Sequence, residues 1–192
     1  MAGWRSFVAV ELSTEVAEGV RRAQGGLKER TVGVSWVRAE GIHLTLKFLG
    51  DVNPDRIEAI VSKVKEASQA RGPFTIEIRG CGAFPNAKNP RVIWIGVDDP
   101  SGALRELQVK IEQGMEQIGF AREERGYTPH LTIGRLSSGK GRGGVAEALE
   151  ASKESDLGTM EVREVCLFWS QLKPTGAEYI KLKAIPLRDI PG

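Results

Sequence analysis

Only two of the 192 residues are cysteine, two are histidine and two are tyrosine. Cys81 and Cys166 stand far apart and form no CxxC pair. A disulfide framework or a thiolate zinc site therefore has no support, and a reducing cytoplasm is expected. Charge of one sign is also lacking: 27 basic against 25 acidic side chains leave a formal charge of +2. That is too little for a general nucleic-acid coat, so any anionic ligand must be held by a local patch. No apolar stretch approaches the roughly 18 residues of a membrane span. In MAGWRSFVAVELSTEV the first apolar run is cut by Glu11, too early for a secretory signal. Nucleotide cradles are missing as well. GLKERTVG and GKGRGG do not fit GxxxxGK[ST], and GCGAFPN lacks the third glycine of a dinucleotide loop. What remains is a globular, cytoplasmic protein with no cofactor expected, whose 41% hydrophobic residues suffice for a substantial core.

Strand-like and helix-like stretches alternate irregularly. SFVAVEL reads as a strand, followed by a helix with Val16, Val20, Ala23 and Leu27 on one stripe and the breakers Gly25 and Gly26 near its end. VSWV and HLTLKFLG read as strands. Asn53-Pro54 and Asp99-Pro100 each look like a helix start, the first before Ile57, Ile60, Val61 and Val64, the second before Leu104, Leu107, Ile111, Met115 and Ile118. Between them FTIEIRG, CGAF and RVIWIGV read as three strands. HLTIGR, a short helix around Val145 to Leu149, and the closing strands MEVREVCLFWS and AEYIKLKAIPL complete the chain. Several direct strand-to-strand steps point to an α+β fold on mainly antiparallel sheets.

Both histidines stand in the same tripeptide: His43 in GIHLTLKFLG and His130 in YTPHLTIGR. A lone cysteine follows each at a nearly equal distance, which suggests two related halves of roughly 90 residues. In a strand, residues i and i+2 share a face. His43 and Thr45 therefore form one polar pair over Leu44 and Leu46, and His130 and Thr132 form another over Leu131 and Ile133. If the halves face each other, two imidazoles and two hydroxyls converge. One neutral and one protonated imidazole make a general base and a general acid, and hydroxyl donors can stabilise charge on non-bridging phosphate oxygens. Phosphodiester cleavage needs both functions and no metal. A zinc site is disfavoured, because no HxxxH or CxxC accompanies either histidine.

These residues resemble the two-histidine (2H) phosphoesterases, in particular the LigT-like RNA 2′,3′-cyclic phosphodiesterases, also called 2′-5′ RNA ligases. RSFVAVEL resembles the family's first strand, WVRAEGIHLTLKFLGDV its first HxTx motif, YTPHLTIGR the second, and VCLFWSQLKPTGAEYIKL its closing strands. The resemblance implies one domain over residues 1–192, built from two similar, interleaved lobes. It implies two mainly antiparallel sheets with flanking helices, a pseudo-twofold and a groove carrying both motifs. It also implies cofactor-free hydrolysis of a terminal 2′,3′-cyclic phosphate to a 2′-phosphomonoester. By it His43 is the proton donor, His130 the proton acceptor, and Thr45 and Thr132 hold phosphate oxygens. Arg135 assists the phosphate, and Phe48 borders the terminal nucleotide. The expected partners are RNA ends or small cyclic nucleotides, with no membrane, no metal and a monomeric enzyme. The reverse reaction, forming a 2′-5′ linkage, and a non-catalytic RNA-binding module are the alternatives.

Phe48 and Arg135 each follow a histidine by five residues, an odd offset that strict alternation points away from the histidine face. A bulge, for instance at Gly134, is needed to turn Arg135 inward. Lys47 has the correct parity and is a secondary candidate. Lys88, Arg91, Lys140 and Arg142 lie on loop-like stretches that could reach an RNA backbone. Trp36, Trp94 and Trp169 are expected in the core or in a groove wall.

Overall fold

A computed structural model of the protein describes residues 3–136, 143–174 and 176–188. The elements, in chain order, are β1 (Trp4–Val10), α1 (Thr14–Arg30), β2 (Val34–Trp36), β3 (Leu44–Val52), α2 (Ile57–Gln69), β4 (Phe74–Phe84), β5 (Val92–Asp98), α3 (Ala103–Gln117), β6 (His130–Leu136), α4 (Val145–Ser152), β7 (Asp156–Val162), β8 (Glu164–Lys173) and β9 (Gly176–Pro186).

Local chemistry explains most boundaries. The Ser13 hydroxyl accepts from Val16 N at 3.3 Å and caps α1. That helix runs on through Gly25 and Gly26 to Arg30, because buried Gln24 and Leu27 on either side hold it to the protein. Asn53 accepts from Asp55 N at 3.1 Å and opens a 3₁₀ turn, Pro54–Arg56, that leads into α2. Asp99-Pro100 does not begin α3. The helix starts at Ala103 after Gly102, and the Asp99 carboxylate reaches in to accept from Arg105 N at 3.0 Å. FTIEIRG and CGAF prove to be one strand, β4, with Gly80 at φ 67° as the extra residue opposite β5. Only glycine takes that conformation freely. MEVREVCLFWS, by contrast, is two strands: β7 pairs with β4 and β8 pairs with β1.

Every pairing is antiparallel, in the order β7-β4-β5-β6-β3-β1-β8-β9, with β2 added beside β6. The order reads as two four-stranded halves, β9-β8-β1-β3 and β6-β5-β4-β7, that meet at one residue pair, Leu44 opposite Leu131. The two expected sheets are thus continuous through that pair. Neither half is built from one stretch of chain. β4, from the first half of the sequence, joins the second half-sheet, and β8 and β9, from the end, complete the first. The helices exchange too: α1, which follows β1, packs on α4 and β7, whereas α3, which follows β5, packs on α2 and β3.

All four helices cover the same face. Val16, Val20 and Leu27 of α1, Ile60 and Val64 of α2, Leu104, Leu107, Ile111 and Met115 of α3 and Val145 and Leu149 of α4 bury against alternate sheet residues, among them Val8, Leu44, Ile95, Leu131 and Val165. Leu44 and Leu131 are fully buried beneath the junction. The opposite face is left open by the helices and carries a small cluster of its own, Phe7, Ala9, Cys166 and Phe168 with Tyr179 against it.

Among the described residues the core holds one charged pair. Lys47 of β3, buried, donates to Glu112 of α3 and, at 2.6 Å, to the Ala121 carbonyl. Glu112 also accepts from Glu123 N at 2.8 Å and from Gln108 Nε2 at 3.3 Å. Removing one member of such a pair strands the other charge in the core. Lys47→Met should lower the unfolding free energy by about 3–5 kcal/mol, and adding Glu112→Leu should recover much of it, as read from urea midpoints of the three variants.

Candidate active site

The Leu44–Leu131 pair fixes the two HLT tripeptides side by side and antiparallel. Continued by one residue in each direction, this register sets His43 across from Thr132 and Thr45 across from His130. Since the leucines face the helices, alternation turns all four polar side chains to the open face, where each is half-buried. The two motifs therefore converge, each imidazole beside the other motif's hydroxyl.

Each strand then carries one extra residue at the same place. In the β1–β3 ladder Val8 pairs with Lys47 and Ala9 with Thr45, so Leu46 has no opposite number. In the β5–β6 ladder Ile93 pairs with Gly134 and Trp94 with Thr132, so Ile133 has none. The two residues of each bulge, Leu46 with Lys47 and Ile133 with Gly134, all bury on the helix side. Gly134 is required there, since a Cβ would stand 2.8 Å from Val34 and 3.1 Å from the Trp36 ring. The parity flip brings the fifth residue after each histidine onto the open face. Arg135 is exposed, with no ion pair among the described residues, and Phe48 is 59% exposed beside Phe7, ring centroids 6.1 Å apart. The same bulge sends Lys47 into its core ion pair, which removes it from the candidates that strict alternation had admitted.

The two histidines occupy different surroundings. His43 stacks on Phe7 at 4.5 Å, with Tyr179 edge-on at 5.1 Å and Phe168 at 6.1 Å. This desolvation pulls its pKa down to about 4, against the opposing effects of a hydrogen bond to the Gly41 backbone and the negative charge of Glu11. His130 meets one ring edge, Phe84 at 5.0 Å, and its Nδ1 donates to the Thr128 carbonyl at 2.7 Å. That bond leaves Nε2 of the neutral ring as the free lone pair. Tyr127, next to Thr128, donates its hydroxyl to the Thr45 carbonyl at 3.2 Å and ties the approach to one motif to the backbone of the other. Burial, with Asp99 adding, pushes the Tyr127 phenol well above its ordinary range.

Of the further sequence candidates, Lys88 and Arg91 are exposed on the β4–β5 connection. Lys140 and Arg142 lie outside the described residues. Trp94 pairs with Thr132 and walls the open face against Phe84, ring centroids 5.4 Å apart. Trp36 borders the core, and Trp169 stacks on Trp4 at 4.5 Å. The aromatic surround of His43 and the Tyr127 bridge escape sequence reading, because they unite residues far apart in the chain. Among the described residues one group could offer metal ligands, Glu11, Glu164 and Cys166. Its chemistry is unsuited: Lys181 ion-pairs with Glu11, and burial pushes the Cys166 thiol up to about 12, with Glu11 adding to it.

An antiparallel α+β fold that presents paired HxT motifs on one open face defines a two-histidine phosphoesterase. The chain belongs to the LigT-like phosphoesterase family, whose pattern matches it twice, over residues 10–94 and 95–179. The RNA 2′,3′-cyclic phosphodiesterase of Methanothermobacter thermautotrophicus is 37% identical over 95% of this chain and 98% of its own, and that of Archaeoglobus fulgidus 36% over 93% and 98%. Among solved structures, TT0787 of Thermus thermophilus superposes with a TM-score of 0.81 at 27% identity, covering 96% of this chain and 98% of its own. Apo E. coli LigT shares the fold, with a TM-score of 0.75 at 23% identity, over 97% and 98%.

Because the pKa of folded His43 lies below its ordinary 6.5, the unfolded chain binds its proton first as pH falls. The stability due to the buried neutral ring is whole above pH 6.5 and is lost toward pH 4, by up to about 3 kcal/mol. Urea midpoints between pH 7 and 4 should therefore fall more steeply for the wild type than for His43→Gln.

Proposed function

We propose that the protein is an RNA 2′,3′-cyclic phosphodiesterase that hydrolyses a terminal 2′,3′-cyclic phosphate to a 2′-phosphomonoester. The observation that carries this reading is the Leu44–Leu131 pair, which sets both HLT motifs on one face. The names of the two archaeal relatives support the substrate class.

In the reaction His130 Nε2 takes a proton from water as the oxygen attacks phosphorus. The bond from phosphorus to the 3′ oxygen breaks, and His43 gives that oxygen a proton. The Thr45 and Thr132 hydroxyls, neither hydrogen-bonded to protein among the described residues, donate to the non-bridging oxygens, and Arg135 adds a counter-charge. His43 is neutral at pH 7 in the free protein. The anionic phosphodiester bound beside it favours the imidazolium, so substrate and catalytic proton arrive together. Phe48 offers an exposed ring to the terminal base. In water hydrolysis dominates over 2′-5′ joining, for which no driving force is supplied. Two unpaired, buried cysteines suit a reducing compartment, so we place this activity in the cytoplasm. The lobes act as one domain, because each half-sheet is completed by strands from the other half of the chain.

With an oligoribonucleotide ending in a 2′,3′-cyclic phosphate and EDTA present, the wild type should form a 2′-phosphate, and His43→Ala and His130→Ala should each lose roughly 10²–10⁴-fold in rate. Turnover surviving both substitutions would move the chemistry away from the two HLT motifs, and no turnover by the wild type would favour a binding module. The kcat/KM profile should be bell-shaped with its acid limb at about pH 4, the value of free His43.

A further inference from the structure

Two buried glutamines sit where each helix should be apolar. Gln24 of α1 is 2% exposed and Gln108 of α3 is 7% exposed. Gln24 donates through Nε2 to the Ile133 carbonyl at 2.9 Å and to the Val37 carbonyl at 2.8 Å. Val37 N donates to the same Ile133 carbonyl at 3.0 Å. Gln108 donates to the Leu46 carbonyl at 3.4 Å and to Glu112. Leu46 and Ile133 are the unpaired residues of the bulges next to the two HLT motifs. A bulge takes its residue out of the ladder, and a buried carbonyl left without a donor costs about 1–3 kcal/mol. The glutamines supply a donor at equivalent points, Gln108 to the Leu46 carbonyl and Gln24 to the Ile133 carbonyl beside the Val37 N–H. They do so crosswise: α1, entered from β1, holds the bulge of β6, while α3, entered from β5, holds the bulge of β3.

We propose that Gln24 and Gln108 are positioning residues of the active site, each fixing from one lobe the bulge that turns Arg135 or Phe48 of the other onto the open face. The inference rests on the reading of that face as the catalytic one. Without the glutamine donor the bulge loses its anchor, the strand can return to regular alternation, and the fifth residue after the histidine turns toward the helices. In β3 the hold is doubled, since Glu112, one turn beyond Gln108, binds Lys47 of the same bulge. In β6 Gln24 shares the Ile133 carbonyl with the Val37 N–H, and among the described residues no ion pair pins that bulge, so Gln24 is the more sensitive test.

Gln24→Met keeps the volume and removes the donor. On the cyclic-phosphate oligonucleotide its kcat/KM should fall at least tenfold in an otherwise wild-type protein, and less than twofold in an Arg135→Ala background, because Gln24 acts through Arg135. A fall below twofold in the folded single variant, or the same tenfold fall with Arg135 absent, overturns the proposal. Should Gln24→Met not fold, Gln24→Asn, whose amide is too short to reach, is read in the same way. Gln108→Met is compared with Phe48→Ala on the same scheme. If the wild type turns nothing over, the functional reading fails by itself, and amide exchange then judges the brace. At least tenfold faster exchange at Val37 and residues 134–136 in Gln24→Met sustains it, and unchanged exchange removes it.

Discussion

One backbone pair, Leu44 with Leu131, governs the geometry of this protein. It joins two four-stranded half-sheets into one, and it does so in the middle of the two HLT tripeptides. Antiparallel register leaves no freedom after that: with the leucines opposed and sunk toward the helices, each histidine lies across from the other strand's threonine on the open face. A slip of one residue would bury the imidazoles among Val8, Ile95 and the helix leucines. The hydrophobic demand of two fully buried leucines thus sets the register of the polar quartet.

The tie between the half-sheets is short in hydrogen bonds and strong in everything else. α1 and α3 each leave one half and pack beneath the other, and β4, β8 and β9 each complete a sheet begun elsewhere in the chain. Leu44 and Leu131 are fully buried at the seam, so parting the half-sheets would uncover apolar core, at roughly 25 cal/mol for each Å² exposed. Tyr127 reaching Thr45 adds a polar bond across the same seam. The seam is accordingly a core region, and the open face above it is held by packing on its opposite side.

Sequence reading reached the histidines, threonines, fold class and approximate repeat, because strand alternation and the duplicated tripeptide are local signals. It asked for a bulge to bring Arg135 inward, and β6 has one, at Ile133 and Gly134. It misplaced Lys47 because the matching bulge in β3 was not foreseen, and parity beyond the third residue after a histidine depends on that bulge. The glutamines are legible in the sequence: Gln24 is four residues after Val20, and Gln108 stands between Leu104 and Ile111, both on apolar stripes. A polar residue on such a stripe signals a buried acceptor to be met. The near-equal cysteine spacing was a weaker clue than it looked. Cys81 belongs to the helix-side core, whereas Cys166 lies in the open-face cluster.

Duplication delivers two equivalent histidines, and acid–base chemistry needs two unlike ones. The difference here comes from the strands across from them. Opposite His43 the first half-sheet supplies Phe7, Phe168 and Tyr179, which exclude water and disfavour the proton. Around His130 the second half-sheet supplies Phe84 and the Trp94 wall, while the Thr128 carbonyl accepts the hydrogen bond from Nδ1 and turns the basic nitrogen outward. A ring that releases its proton readily is suited to protonating a departing alkoxide, provided the substrate's own charge first brings the proton in. A ring whose tautomer is fixed by its backbone is suited to accepting a proton from water. In the proposed reaction the motifs supply the functional groups, and the aromatic packing of each half-sheet divides the labour between them.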